Sequence, residues 1–491
     1  MKLKVKTMNW SAGRPVSVIH RAAAERLGLT TNDRIELSYN SSKISSVIDI
    51  ADKLLEKDEI IISTEITEII KLKEGSFVEV SYAHKPFSNK LIKRKLDGEK
   101  LSKEEYKQII SDIVNNSLTE VELAFFVTAV YKSKLSFDEI IYLIDAITST
   151  GDQLHFKEKI VADKHCIGGI AGNRTTPLVV SICSASGIIM PKTSSRAITS
   201  AAGTADTIEI LAKVSFKANE AEKIINKVGA CMIWGGSLNL APADDKLIKV
   251  ERLLNLDPES QLLASIMSKK IAMGSKYILI DIPYGSSAKV KTLQKAKELS
   301  VKFNKIAKRF NLKLETVATD GSQPIGNGVG PVLEMIDILK ILRRKEDAPK
   351  DLEDKAIFLS GKILEMTGKS KKGGGELLAK EILDSGKAYN KFKEIIEAQD
   401  GKIRELSPGP LRKDILSKKS GKIIFIDNKL TNSLARYAGC PADESSGVYL
   451  YKKVNDKVSK GEKVLTVYAE TDNKIKEALD FFEKFPCFEV K

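Results

Sequence analysis

Cysteine, histidine and tryptophan are scarce in this chain: five, four and two among 491 residues. Cys166, Cys183, Cys231, Cys440 and Cys487 lie far apart with no CxxC spacing. An odd, scattered set builds neither a disulfide framework nor a zinc knuckle and points to a reducing compartment. His20, His84, His155 and His165 are too dispersed for a metal cluster, so no metal and no other cofactor is expected. No apolar run approaches the ~20 residues of a membrane span. The opening Met-Lys-Leu-Lys-Val-Lys-Thr has no apolar core of the kind a secretory signal needs. No membrane partner is expected, and a cytoplasmic location is. Aromatics are only 6%, and lysine-rich stretches such as Lys289 to Lys308 are not interleaved with them, carrying Phe303 alone between the cations. The net charge of +14 is therefore read as a solvated surface suited to small anions, with no nucleic-acid partner.

Glycine and hydroxyl residues, by contrast, are concentrated in residues 163 to 206. Gly168-Gly169-Ile170-Ala171-Gly172 and the run Ser194 to Thr204 flank one apolar stretch. Strands are expected at Ile160 to Ala162 and Ile188 to Met190, each leading into one of these loops and then a helix. Loops at the same end of a parallel sheet are where such sheets bind ligands. Glycines let the backbone approach an anion, and a following helix offers free N–H groups. With Lys164, Arg196 and several hydroxyls as further donors, a phosphate is the natural guest. Two ordinary strand-to-helix turns are the bland alternative.

The fold class expected is α/β: a mostly parallel sheet domain with a helical lobe, an N-terminal double-psi-like β domain and a C-terminal lipoyl-like α+β segment. Residues 1–84 read as a β-rich assembly domain, because Val16 to Ile19, Arg34 to Ser38, Glu59 to Ser63 and Phe77 to Val80 alternate with turns and hold no catalytic constellation. Residues 85–158 read as the helical lobe. Three capping boxes, Ser102 with Glu105, Thr119 with Glu122 and Ser136 with Glu139, each open an apolar periodic segment, and Gly151 is expected to cap the third helix. Residues 159–410 alternate strands with helices, which implies a parallel sheet; further strands are expected at Ala230 to Ile233, Tyr277 to Asp281 and Leu312 to Val317. Asn219 with Glu222 gives another capping signal. The helical insertion 240–273 is expected to leave that sheet and join the helical lobe. Residues 411–491 form the last domain, with hammerhead-like halves around Gly447 to Leu450 and Val458 to Leu465. In the insertion, Asp257-Pro258-Glu259 is a routine helix start, with Asp257 as N-cap. Ser265 and Lys269 share one face of the helix that follows.

Asp163-Lys164-His165-x-x-Gly168-Gly169, Ser194-x-Arg196, Gly203-Thr204 and Ala264-Ser265-Ile266-Met267-Ser268-Lys269-Lys270 together resemble the thymidine and pyrimidine nucleoside phosphorylases, from about residue 95 to 491. The extra N-terminal domain, Ser195 to Ser200 and Asp257 are more similar to the archaeal AMP phosphorylase branch. The resemblance implies phosphorolysis of nucleoside 5′-monophosphates: AMP and phosphate to adenine and ribose 1,5-bisphosphate, with CMP and UMP as further substrates. It implies that Gly169, Ser195, Arg196, Ala197, Ile198, Thr199, Ser200, Thr204, Ser265 and Lys289 contact the nucleotide. It implies that Lys164, Ser194 and Thr204 hold inorganic phosphate, the co-substrate, and that Asp257 gives a proton to the departing base. A homodimer or higher homo-oligomer is expected. Two departures stand out. Where the nucleoside phosphorylases carry an Arg that clamps a pyrimidine carbonyl, this chain has Val250, seven residues before Asp257. Their phosphate-loop Ser is Cys166 here, a weaker hydrogen-bonding group. Both favour a substrate other than thymidine.

The chemistry asks for such residues. Cleaving an N-glycosidic bond passes through an oxocarbenium-like ribose, and the leaving base needs a general acid. Phosphate is already an anion and needs positioning more than activation. A nucleotide substrate adds a second phosphate, for which two loops can provide. Three other functions are weighed: a thymidine-type phosphorylase, a magnesium-dependent phosphoribosyltransferase releasing pyrophosphate, and a basic non-catalytic nucleic-acid binder.

Overall fold

The computed structural model describes residues 1–156, 160–198 and 200–491. Thr199 and the expected 158/159 domain boundary lie outside them. The chain divides into two compact units, one of residues 1–151 with 241–268, the other of 152–240 with 269–491.

The first unit begins with a closed barrel of six strands: Lys2–Thr7, Val16–His20, Arg34–Tyr39, Ser42–Ala51, Glu59–Ile62 and Phe77–Tyr82. The first pairs in parallel with the fifth and the second with the fourth, while the other pairings are antiparallel. Alternating side chains turn inward, so Leu3, Val5, Ile19, Ile35, Leu37, Ile48, Ile60 and Val80 fill the interior. The helices Ser88–Leu96, Lys103–Val114, Glu120–Ser133 and Phe137–Ser149 follow. At Ser102, Thr119 and Ser136 both reciprocal bonds of a capping box are present. Gly151 is not the cap of the last helix: Thr150 ends it in right-handed conformation, with its N–H on the Ile147 carbonyl. The inserted helix Pro242–Leu254 is pinned to this bundle by Lys246, whose Nζ donates to the carbonyls of Ile113 and Val114 at 2.8 Å each.

The second unit is built on five parallel strands. Their order across the sheet is Lys313–Asp320, Tyr277–Tyr284, Ala162–Cys166, Met190–Ser194 and Ala230–Trp234. Two expected strands start too early. Asp163, Lys164 and His165 lie inside the first strand, and Pro191 to Ser194 inside the second. Charged residues hid these strands, since Asp163 is paired with Lys192 and Lys270, both distant in sequence. The capping signal at Asn219 also shifts: the helix is Ala218–Val228, and Glu220 accepts from the Lys217 N–H at 2.8 Å. Around the sheet, Leu178, Val180, Ile182, Met232, Leu279, Met335 and Ile395 belong to the main core.

Beyond residue 410 the chain adds a four-stranded antiparallel sheet, ordered Gly328–Val329, Gly447–Leu450, Lys463–Ala469, Leu411–Leu416. Its first strand comes from the glycine-rich stretch after Asp320, which ties this segment to the parallel sheet. The helix Asn428–Tyr437 packs beside it.

Candidate active site

The strand order reverses beside Ala162–Cys166: the chain proceeds to Met190–Ser194 on one side and to Tyr277–Tyr284 on the other. A crevice at the carboxyl ends of strands flanking such a switch point is the usual ligand site of an open α/β sheet. The loops there are 167–174 and 285–292. They meet so closely that a Cβ on Gly169, at φ +88°, would come within 2.6 Å of the Lys289 backbone nitrogen. A Cβ on Gly172, at φ +68°, would lie 2.4 Å from the Ile325 carbonyl oxygen. The glycine loop is thus held between the loops that follow two other strands.

Alternation along Ala162–Cys166 sends Lys164 and Cys166 to one face and Asp163 and His165 to the other. Lys164 is 1% exposed, and its Nζ donates to Thr175 Oγ1 at 2.8 Å. Burial pushes its pKa down, with Cys166 and Asp281 opposing. Asp281, in register with Cys166, pairs with Lys355 at 3.1 Å and accepts from Thr319 Oγ1 at 2.5 Å. Burial raises its pKa, but Lys355 and Lys164 outweigh that and hold it below the usual range. The Cys166 sulfur accepts from the Gly168 N–H at 3.4 Å and from Asn173 Nδ2 at 3.3 Å. Burial raises the pKa of this thiol.

On the other face Asp163 meets Lys270 at 2.6 Å and Lys192 at 3.4 Å. All three are buried. Burial brings Lys270 down to about 7. Burial, then Lys270 and Lys192, pull His165 well below its ordinary value, so its imidazole is neutral near pH 7.

Across the switch point, Arg174 joins the glycine loop to the hydroxyl-rich one. It donates to Thr204 Oγ1 at 3.0 Å and the Ala202 carbonyl at 2.7 Å, and it pairs with Glu334 at 2.5 Å. Asp206 closes the second loop by accepting the N–H groups of Ala197 and Gly203 at 2.7 Å each. Arg196 is turned to this loop's own carboxylates: Glu209 at 2.8 Å and Asp206 at 3.2 Å, with its guanidinium 5.1 Å from the Trp234 ring centroid. These partners raise its pKa further above its ordinary value. Ser194 Oγ reaches the Ile233 carbonyl at 3.4 Å, and Ser200 Oγ the Ala202 carbonyl at 2.6 Å. Ser195 and the Lys289 side chain are exposed. The carbonyl of Ile198 accepts from Arg436 at 2.9 Å.

Two hydroxyls therefore share one arrangement. Thr175 accepts from a lysine and Thr204 from an arginine, and a hydroxyl that spends a lone pair on a cation keeps its own proton to donate. The structure brings Lys164, Gly169, Ser194, Arg196, Thr204 and the Lys289 backbone into the loop ends of this sheet. Asp257 and Ser265 belong to the first unit. Asp257 is exposed. It lies two residues before the helix Glu259–Ala272, where the Pro258 carbonyl accepts from the Leu262 N–H at 2.9 Å. Ser265 donates to Asp244 Oδ2 at 2.7 Å. Val250 is buried in the helix Pro242–Leu254.

Comparison with known proteins decides the family. Residues 89–151 match the helical bundle domain of a glycosyl transferase family, 158–389 its a/b domain, and 432–485 the C-terminal domain of pyrimidine nucleoside phosphorylases. The AMP phosphorylase of Thermococcus kodakarensis is 43% identical over 98% of this chain and 96% of its own. The chain belongs to the AMP phosphorylase family. The relative from Pyrococcus furiosus, of the same name, is 42% identical with the same coverage. In fold, anthranilate phosphoribosyltransferase from Thermus thermophilus superposes with a TM-score of 0.53, at 17% identity over 63% of this chain and 99% of that one.

Sequence reasoning about this family member missed three residues that the geometry places beside the loops: Thr175, Arg174 and Asn428. Thr175 carried a signal, as a hydroxyl opening the helix after a glycine loop. Arg174 and Asn428 carried none, since their partners lie up to 257 positions away. Among the described residues no group of three or more His, Cys, Asp or Glu could hold a metal ion. Among the described residues no helix is long and apolar enough to cross a membrane.

Proposed function

We propose that the chain is a pentosyltransferase of nucleotide breakdown that converts AMP and phosphate into adenine and ribose 1,5-bisphosphate, with CMP and UMP as further substrates. The observation that carries the reading is the pair of cation-held hydroxyls, Thr175 on Lys164 and Thr204 on Arg174, each with a proton to offer an anion at the sheet's switch point. The names of the full-length relatives support AMP as substrate.

In this reading Lys164, Ser194 and Thr204, now joined by Thr175, hold inorganic phosphate. A phosphate oxygen adds to C1′ as the N-glycosidic bond breaks, and the bonding pair leaves with the base. Asp257 hands that base a proton, the role of a general acid. Gly169, Ser195, Ala197, Ile198, Thr199, Ser200, Thr204, Ser265 and Lys289 contact the nucleotide. Arg196 contributes by shaping its loop through Asp206 and Glu209 as much as by direct contact. No cofactor is required beyond the phosphate co-substrate.

The finer architecture belongs to the same reading: a double-psi-like assembly barrel over 1–84, a helical lobe over 85–158 with 240–273, a phosphate-binding domain over 159–410 and a lipoyl-like segment over 411–491. Self-association of a cytoplasmic enzyme through the first unit fits Val121 and Phe125, one turn apart on the helix Glu120–Ser133 and 65% and 51% exposed. The deciding assay is phosphate-dependent base release from AMP, CMP, UMP, GMP, adenosine and thymidine. Release from AMP with formation of ribose bisphosphate supports the reading; turnover of thymidine alone overturns it.

A further inference from the structure

The helix Asn428–Tyr437 lies far from every motif of the site in sequence, yet one stripe of it touches the loops. Asn428, Asn432 and Arg436 are four residues apart and so share a face. Asn428 is fully buried. Its Oδ1 accepts the Ala171 N–H at 3.1 Å, and its Nδ2 donates to Ser287 Oγ at 2.9 Å and to the Gly321 carbonyl at 3.1 Å. One amide thus joins the loops that follow three strands. Asn432 takes the Ala201 N–H on Oδ1 at 3.0 Å and donates to the Asn428 carbonyl at 3.0 Å. Arg436 donates to the carbonyls of Ile198 at 2.9 Å and Ser200 at 3.3 Å.

We infer that Asn428, Asn432 and Arg436 are positioning residues for the nucleotide, setting the loops that carry Gly169, Lys289 and residues 195–200 in one register. The inference rests on the proposed nucleotide phosphorylase reading. It follows from what the stripe touches and what it leaves alone. Ala171 and Ser287 are each two residues from Gly169 and Lys289, whose backbones are in near contact. Ile198, Ser200 and Ala201 lie in the second nucleotide loop. The proposed phosphate ligands Lys164, Thr175, Ser194 and Thr204 are bonded elsewhere: Thr175 to Lys164, Thr204 to Arg174 and Ser194 to the Ile233 carbonyl. Asparagine suits the central position because it donates and accepts at once, whereas a carboxylate would face the Gly321 carbonyl with no proton.

The test is steady-state kinetics on the full chain with both substrates varied. Asn428→Ala, Asn432→Ala and Arg436→Ala should raise KM for AMP, the first on the order of 10- to 100-fold, because a small misplacement of a binding loop is costly. KM for phosphate should stay within about twofold, since binding lost at one subsite leaves the other intact. Asn428→Asp should resemble Asn428→Ala. Arg436 is exposed, so that variant keeps the test valid even where an Asn428 variant does not fold. Unchanged KM for AMP, or a parallel rise of both constants with a fall in melting temperature, overturns the inference and leaves the stripe a structural clamp. Failure of the wild-type chain to release adenine from AMP would instead overturn the functional reading.

Discussion

Two faces of the strand Ala162–Cys166 carry the same charges to different ends. On one, Asp163 lies between Lys270 and Lys192; on the other, Asp281 pairs with Lys355 and its charge is felt at Lys164. Each face sets one carboxylate against two lysines. Around Asp163 every charge is spent inside the cluster: Lys270 on the carboxylate, Lys192 on the carboxylate and the Thr193 carbonyl. Around Asp281 the arrangement differs, because Lys164 directs its proton to the hydroxyl of Thr175 at the start of a helix beside the glycine loop. Paired buried charges are thus poor evidence of a site by themselves. The direction in which a lysine spends its proton separates the two.

The largest effect lies off the strand and isolates chemistry from anion holding. Asp257→Asn should lower kcat by about 10²- to 10⁴-fold, the usual worth of a general acid, while KM for AMP and melting temperature are kept. Collapse of binding together with a loosened fold would assign Asp257 to structure instead. Next comes the comparison itself. Lys164→Met should cut kcat/KM for phosphate by about 10²- to 10³-fold, as for loss of a preorganised charge contact, and leave melting largely unchanged because Asp281 keeps Lys355. Lys270→Met should do the reverse, costing about 3–5 kcal/mol of stability as a buried pair is broken, with phosphate kinetics of the folded enzyme near wild type. Should Lys270→Met act on KM for phosphate and Lys164→Met on melting, the two faces have been assigned the wrong way round.

The smallest effect is a pH slope. His165 stays neutral in the fold but takes a proton in the unfolded chain below about pH 6.5. The unfolded state then binds more protons, and stability falls as pH drops below that value. His165→Gln should lose that part of the slope in melting curves taken between pH 7 and 5. An unchanged slope would mean that the imidazole titrates freely, and that the Asp163 face is more open than its burial indicates.

Which features were legible in the chain follows from the range of the interactions behind them. The three capping boxes are local, each Ser or Thr meeting a Glu three residues on, and all three form. The glycine loop was legible for the same reason: positive φ at Gly169 and Gly172 is a property of the residue type. The strand start at Ala162 was not, because Asp163-Lys164-His165 looks solvated until Lys270, 107 residues later, neutralises Asp163. The inward turn of Arg196 depended on Glu209 and Trp234, and the clamp at Asn428 on three loops at once. Asp257 illustrates the same local legibility, where Asp-Pro-Glu announces the start of the helix Glu259–Ala272.

By itself, then, the sequence determined the helix starts, the alternation of strands and helices, and the glycine and hydroxyl loops, through short-range propensity, capping and backbone freedom. The tertiary structure alone decided which buried lysine opens onto a hydroxyl, which arginine is tied back, and which asparagine locks the loops. Those outcomes depend on desolvation and on hydrogen-bond partners brought together by the sheet, and neither is encoded within a local stretch of chain.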